Sequence, residues 1–136
     1  MCIRDRIDSA LCVTRIESNG REHSVLNVND IIFDAVTLQE LSAQCPEPDI
    51  LLLGYTGAGP YPQTYFDLSD PNLLIKAEQK KADFFRRYLQ NTRAFKAHIN
   101  IPFAGKYLLG GSLAKLNPYR GVADPIEILE IDARAI

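Results

Sequence analysis

The feature that most constrains this chain is a six-residue run, Asp49-Ile50-Leu51-Leu52-Leu53-Gly54, held between two sets of helix breakers. Cys45-Pro46-Glu47-Pro48 precedes it, and a long Gly-, Pro- and Tyr-rich stretch, Tyr55 to Ser69, follows. The run is too short for a helix that must also escape those flanks, and its apolar side chains point both ways along an extended backbone. It therefore reads as a buried central strand of a sheet. A central strand needs neighbours. Ala10 to Ile16 and His23 to Val28 are strand-like, and Asn19-Gly20 between them favours the left-handed backbone of a tight turn, so the chain opens with a β-hairpin. Ala97 to Pro102 supplies a further apolar run.

Two helices are expected between these strands. Thr37-Leu38-Gln39-Glu40 has capping-box spacing and starts a short helix that ends near Gln44, before Pro46. Asp70-Pro71 offers an N-cap followed by proline at the first helical position. From there Leu74, Ala77, Lys81, Phe84 and Tyr88, widened by Phe85 and Leu89, recur at helical spacing over Pro71 to Ala94. Between Pro71 and Lys96 stand seven basic and two acidic residues. That surplus suits an anion-binding face, or simply a solvated flank eased by an Asp83–Arg87 pair. Beyond this helix, Lys106 to Leu109 and Ile126 to Ile131 read as strands, the latter alternating apolar and acidic residues as an edge strand does.

Composition excludes some functions. The net charge is −2 over 136 residues, which argues against nucleic acid as a partner. No apolar run approaches the length needed to cross a bilayer, so no membrane partner is expected. The cysteines, Cys2, Cys12 and Cys45, form no C-x-x-C and no cysteine–histidine cluster. A zinc knuckle or redox dithiol is not expected, Cys12 reads as a small buried thiol, and the pattern suits the cytoplasm. Residues 1–6, Met-Cys-Ile-Arg-Asp-Arg, resemble translated sequencing adapter and are set aside, leaving 7–136 as the domain. With that leader and an end just after an apolar run, the chain is expected to be a fragment of a longer protein.

Familiar site motifs fail one by one. Gly57-Ala58-Gly59 follows a strand, but Pro60-Tyr61-Pro62 prevents a helix there, so it is no dinucleotide fingerprint. Gly105-Lys106 lacks the partner glycine and the hydroxyl residue of a phosphate loop. There is no G-x-S-x-G. With only His23 and His98, the chain cannot supply a three-histidine metal site. Three polar clusters remain at the ends of apolar runs: Asn27-Val28-Asn29-Asp30, the loop from Gly54 to Pro62, and Pro102-Phe103-Ala104-Gly105-Lys106-Tyr107. If their strands share a sheet, these loops gather at one edge, where α/β folds bind ligands. Each also has a plain structural use. Asp30 can cap a turn, the Gly-rich loop can pack on Tyr55, Tyr61 and Tyr65, and Phe103-Ala104-Gly105 can be a backbone turn.

The order of these clusters resembles the C-terminal half of a metallo-β-lactamase-fold metal-dependent hydrolase. Within that superfamily it is most similar to the branch containing CMP-N-acetylneuraminate hydroxylase and related bacterial proteins. The resemblance rests on Asn27-Val28-Asn29-Asp30, the Asp49–Leu53 run, Gly57-Ala58-Gly59-Pro60-Tyr61-Pro62, the Lys-rich helix and Pro102-Phe103-Ala104-Gly105, and spans roughly Asp8 to Tyr107. It implies an α/β fold that is part of an αββα sandwich, a mixed sheet with helices on one face. It implies a divalent metal (zinc, iron or manganese) in the full-length parent, with Asp30 matching the family's bridging aspartate. The family's histidine cluster would lie in the missing N-terminal half of the domain, and none is expected to be bound by this piece alone. The family's last histidine has no counterpart in the Pro102–Gly105 turn. The implied substrate is small and anionic, sugar- or nucleotide-bearing, with Tyr55, Thr56, Gly57, Gly59, Tyr61, Lys106 and Tyr119 lining its site. The alternatives are a non-catalytic ligand- or partner-binding domain of the same fold, or an unrelated small α/β domain.

Overall fold

The computed structural model describes residues 9–103 and 105–136; residues 1–8, the leader among them, and Ala104 lie outside them. The described chain runs β1 (Leu11–Ile16), β2 (Glu22–Asn27), α1 (Ala35–Gln44), β3 (Ile50–Gly54), α2 (Leu73–Phe95), β4 (Ile99–Phe103), a 3-10 segment (Gly111–Tyr119) and α3 (Pro125–Ile131). Among the described residues the strands form one mixed sheet in the order β1-β2-β3-β4. β1 pairs antiparallel with β2, whereas β2, β3 and β4 are parallel neighbours. The expected hairpin is present: Gly20 takes φ +83° and Asn19 Oδ1 accepts from Arg21 N at 2.8 Å. The Asp49–Gly54 run is the central strand it promised to be.

Register assigns the two faces. Cys12, Leu26, Leu51 and Asn100 are aligned across the sheet on one face, with Leu53 and Pro102 beyond them. Leu26, Leu51 and Leu53 are buried there together with Leu38 and Leu41 of α1 and Tyr88 and Phe95 of α2. α1 and α2 touch each other, so both helices cover this one face. The opposite face carries Leu11, Val13, Val25, Ile50, Leu52, Ile99 and Ile101, and none of these is fully buried. Leu11 is 59% exposed and Val13 55%.

Several local expectations are corrected. α1 is capped by Asp34, whose carboxylate accepts from Thr37 N at 2.8 Å, so Thr37 is the helix's third residue and not its cap. α2 begins at Leu73, because Asp70 spends its carboxylate on Asn72 N and shapes a turn through Pro71. The buried stripe is consequently Leu73, Ala77, Tyr88, Thr92 and Phe95, with Leu74 left exposed. Asp83 pairs with Arg86 instead of Arg87. Lys106 to Leu109 is irregular, not a strand. Ile126 to Ile131 is the helix α3: Asp124, Pro125 and Glu127 form a capping box with proline at the first turn, which overrides the alternating pattern.

The chain end is tied to β4 by a buried polar cluster. Asp132 Oδ2 accepts from Tyr88 Oη at 3.0 Å and from Asn100 Nδ2 at 2.7 Å, while Asn100 N donates to Arg134 O. Burial and the neighbouring carboxylate push the Tyr88 phenol well above its ordinary range, so it stays a donor. No helix among the described residues is long and apolar enough to cross a membrane.

Candidate functional site

The C-terminal edge of the parallel strands is shaped by a close approach of two loops. Beyond β2, Val28 N donates to Leu52 O, Asn27 Oδ1 accepts from Asn29 N, and Asn29 takes φ +52°. The chain then folds back so that Asn29 O accepts from Gly54 N at 2.8 Å. A Cβ on Gly54 would stand 3.3 Å from that oxygen and 3.4 Å from Asp30 Cα, so glycine at the end of β3 allows the contact. Asp30 is thereby set beside the end of the central strand, exposed, at the mouth of a cleft shared with Gly54, Thr56, Arg87, Tyr88 and Asn91.

The far wall comes from α2. Phe84 packs directly on Gly57, where a Cβ would approach its ring to 2.7 Å. The Arg87 guanidinium lies over the same ring, 4.1 Å from its centroid. Thr56 is buried, and its hydroxyl has no hydrogen-bond partner among the described residues. The cleft thus presents a carboxylate, a guanidinium and an unused hydroxyl. It is small, about 40 Å³, against the several hundred Å³ of a typical small-molecule site.

The other expected site residues lie elsewhere along the loops. Gly59 and Tyr61 offer their carbonyl oxygens to Lys80 Nζ, which also reaches Arg120 O at 2.9 Å. Burial, then the nearby Arg120 charge, lower the Lys80 pKa. Gln63 donates to Gly59 O and to Tyr107 Oη, and Arg120 sits over the Tyr107 ring. The Tyr61 ring packs against Tyr65 and Phe66. Tyr55 is buried with its ring against Gly105, and burial raises its pKa. Lys106 is ion-paired with Asp124, the cap of α3, and this contact, with the Ile126 backbone N–H, holds the Asp124 carboxyl below its usual range. Tyr119 is half-buried at the end of the 3-10 segment. Asp30 and Thr56 therefore line one cleft, with Gly57 packed on the Phe84 of its wall, whereas Gly59 and Tyr61 belong to the Lys80 loop locus and Tyr55 and Lys106 to the turn after β4.

The residues that join the two loci are on α2. Lys80, Phe84, Arg87 and Asn91 follow one another at i, i+4, i+7 and i+11, one stripe of the helix. The basic surplus of α2 foreshadows them, but charge alone does not separate Arg87 from its neighbours. Lys81 is held by Glu127 and Glu78, Arg86 by Asp83, and Lys76 lies over Phe66.

A metal at this edge meets a clear chemical limit. Both histidines sit at the other end of the sheet: His23 Nδ1 is 3.6 Å from Asp49 Oδ2, just before β3, and His98 just precedes β4. Among the described residues no group of three or more His, Cys, Asp or Glu could hold a metal ion. One carboxylate is not a set that binds zinc, iron or manganese, so a metal beside Asp30 needs ligands from outside the described residues. No family model, curated protein or solved structure matches this chain.

Proposed function

We propose that this chain is the C-terminal half of a metallo-β-lactamase-like hydrolase domain and that the Asp30 edge is its contribution to the active site. In the complete domain, Asp30 supplies one carboxylate ligand to a divalent metal whose other ligands come from the N-terminal half. That half also covers the open sheet face. The observation that carries the proposal is the placement of Asp30: an exposed carboxylate at the C-terminal edge of parallel strands, set against Gly54 by a loop that has no other evident use for it. Ligand sites of α/β sheets gather at that edge. Asp30 makes no hydrogen bond or ion pair to another described residue, so its charge is not consumed by the fold.

The substrate class follows from the opposite wall. Arg87, fixed on Phe84, offers a planar fork of donors suited to a carboxylate or phosphate, and the Thr56 hydroxyl supplies a further donor. A small anionic substrate, such as an acidic sugar or a sugar nucleotide, would be oriented by these groups against a reacting centre near Asp30.

Metal analysis of the 136-residue chain beside a protein extended through the coding sequence upstream tests this. The short chain should carry no stoichiometric zinc, iron or manganese and no hydrolase activity. The extended protein should carry metal, and Asp30→Ala in it should lower the occupancy. Stoichiometric metal in the short chain, or unchanged metal in that variant, would remove Asp30 from the role. A folded extended protein without metal would mark the domain as a ligand binder without turnover.

A further inference from the structure

The strongest unassigned feature lies on the covered side of the sheet, between β1 and the end of α1. Cys12 is on the edge strand β1, and Cys45 caps the C-terminal end of α1. They are 33 residues apart in sequence, yet their sulfurs lie 2.7 Å apart. Cys12 stands opposite Leu26 in the hairpin register, which turns its side chain toward the helix layer. Cys45 is fixed in turn, because its N–H donates to Leu41 O at 3.0 Å. Both line a groove with Ala10, Leu26, Leu41 and Gln44. Cys45 is buried, whereas Cys12 is exposed, contrary to its expected burial. The absence of any C-x-x-C spacing conceals this pair from the sequence, since the fold alone brings the two thiols together.

We propose that Cys12 and Cys45 form an intramolecular disulfide when the chain meets an oxidised thiol such as glutathione disulfide, making a reversible staple between the sheet edge and the helix layer. A disulfide sulfur–sulfur bond is about 2.05 Å long, so the sulfurs need to close by less than an ångström. Exposure makes Cys12 the residue that meets the oxidant. Its thiolate attacks one sulfur of glutathione disulfide, forming a Cys12–glutathione mixed disulfide and releasing one glutathione thiolate. Cys45 then loses its proton to that thiolate and attacks the Cys12 sulfur, which breaks the mixed disulfide and releases the second glutathione. Two protein thiols become one disulfide, and one glutathione disulfide becomes two glutathiones. Burial, then the hydrogen bond with Cys12, push the Cys45 thiol up to about 12. A thiol kept protonated in this way is the slower of the two, which leaves the exposed Cys12 to meet the oxidant first.

The effect on the molecule follows from topology. β1 is an edge strand paired only with β2 among the described residues. A bond from Cys12 to the end of α1 anchors this edge in a second direction and limits its peeling.

The test uses the full chain with Cys2→Ser, so that only this pair can react. After incubation with glutathione disulfide, intact-mass analysis of the monomer should show the loss of two hydrogens, and proteolysis should yield one Cys12–Cys45 cross-linked peptide. The melting temperature should rise on oxidation and return with a reducing agent. Adding Cys45→Ser should leave a stable glutathione adduct on Cys12, and Cys12→Ser should leave Cys45 unmodified, each with an unchanged far-UV circular dichroism spectrum. Unreacted thiols in the folded chain, a lasting glutathione adduct while Cys45 is present, or disulfides only between chains would overturn the proposal.

Discussion

The two faces of the sheet are built from similar residues and end in different states. On the covered face, Leu26, Leu51 and Leu53 meet α1 and α2 and are almost wholly removed from water. On the other, Val13, Val25, Ile50, Leu52, Ile99 and Ile101 are as apolar by type and remain partly wet. β3 shows the contrast within five residues, since Leu51 and Leu53 are buried while Ile50 and Leu52, which alternate with them, are only half-buried. A strand that faces water on one side normally alternates apolar with polar residues. This one does not, a pattern shared with strands of sheets covered on both faces. Arg15, His23 and Asn27 share that face, so its apolar part lies mainly on β3, β4 and the middle of the hairpin; apolar residues left wet in this way suit a face that a further layer covers, as the proposed N-terminal half would.

The largest expected effect separates the faces directly. Leu51→Ala or Leu53→Ala should destabilise the chain by about 2–5 kcal/mol, the cost of a cavity in a packed core. Leu52→Ala should cost less than about 1 kcal/mol, because half-wet surface has little burial to lose. Urea titration of the three variants reads this difference. In a protein extended at its N-terminus, the Leu52→Ala cost should rise toward that of its neighbours.

Next in size is the buried cluster behind the covered face. Asp132→Ala would leave Tyr88 Oη and Asn100 Nδ2 without their shared acceptor, at a cost of about 1–3 kcal/mol. Tyr88→Phe removes one partner and should cost about 1 kcal/mol. Equal effects of the two variants in denaturant titrations would show that the Asn100 bond contributes nothing.

Acid should act on α3 before it acts on the core. The Asp124 N–H, then the Lys81 ammonium, keep the Glu127 carboxyl below its usual range, and Lys106 does the same for Asp124. A carboxylate with a lowered folded-state pKa contributes stability above its unfolded value, and that contribution is lost as pH falls through the folded one. Stability should therefore decline below about pH 4.5, near the ordinary Glu value, with α3 loosening first. Both groups are partly exposed, so the effect is small. Hydrogen exchange of residues 125–131 against pH follows it, and Glu127→Gln should flatten the response. The smallest effect is expected for Asp30→Ala, within about 0.5 kcal/mol of the parent chain in the same urea titration, as for surface sites without partners.

The sheet was legible in the sequence wherever short-range chemistry dictates the outcome. Asn19-Gly20 declares the hairpin, Pro46 and Pro48 isolate the central strand, and helical spacing after Asp70 declares α2. The misread elements are those in which two local patterns compete. Ile126 to Ile131 alternates like a strand, but Asp124-Pro125-Ile126-Glu127 is a complete helix start, and the cap wins. At the cleft, Asp30 and Thr56 were visible because they end apolar runs. Arg87 was not, since six cations on one helix look alike until packing sets one of them on Phe84. The Cys12–Cys45 contact had no sequence signal, because it depends on β1 and α1 meeting across the sheet.

The most direct test of the uncovered face is sedimentation of the purified 136-residue chain together with binding of a hydrophobic dye. The chain should bind the dye or self-associate, and Val13→Lys with Leu52→Lys should reduce both while leaving the circular dichroism spectrum unchanged. A monomer that binds no dye and unfolds in one cooperative thermal transition would contradict it, and with it the view that this sheet is made to be covered by the other half of a domain.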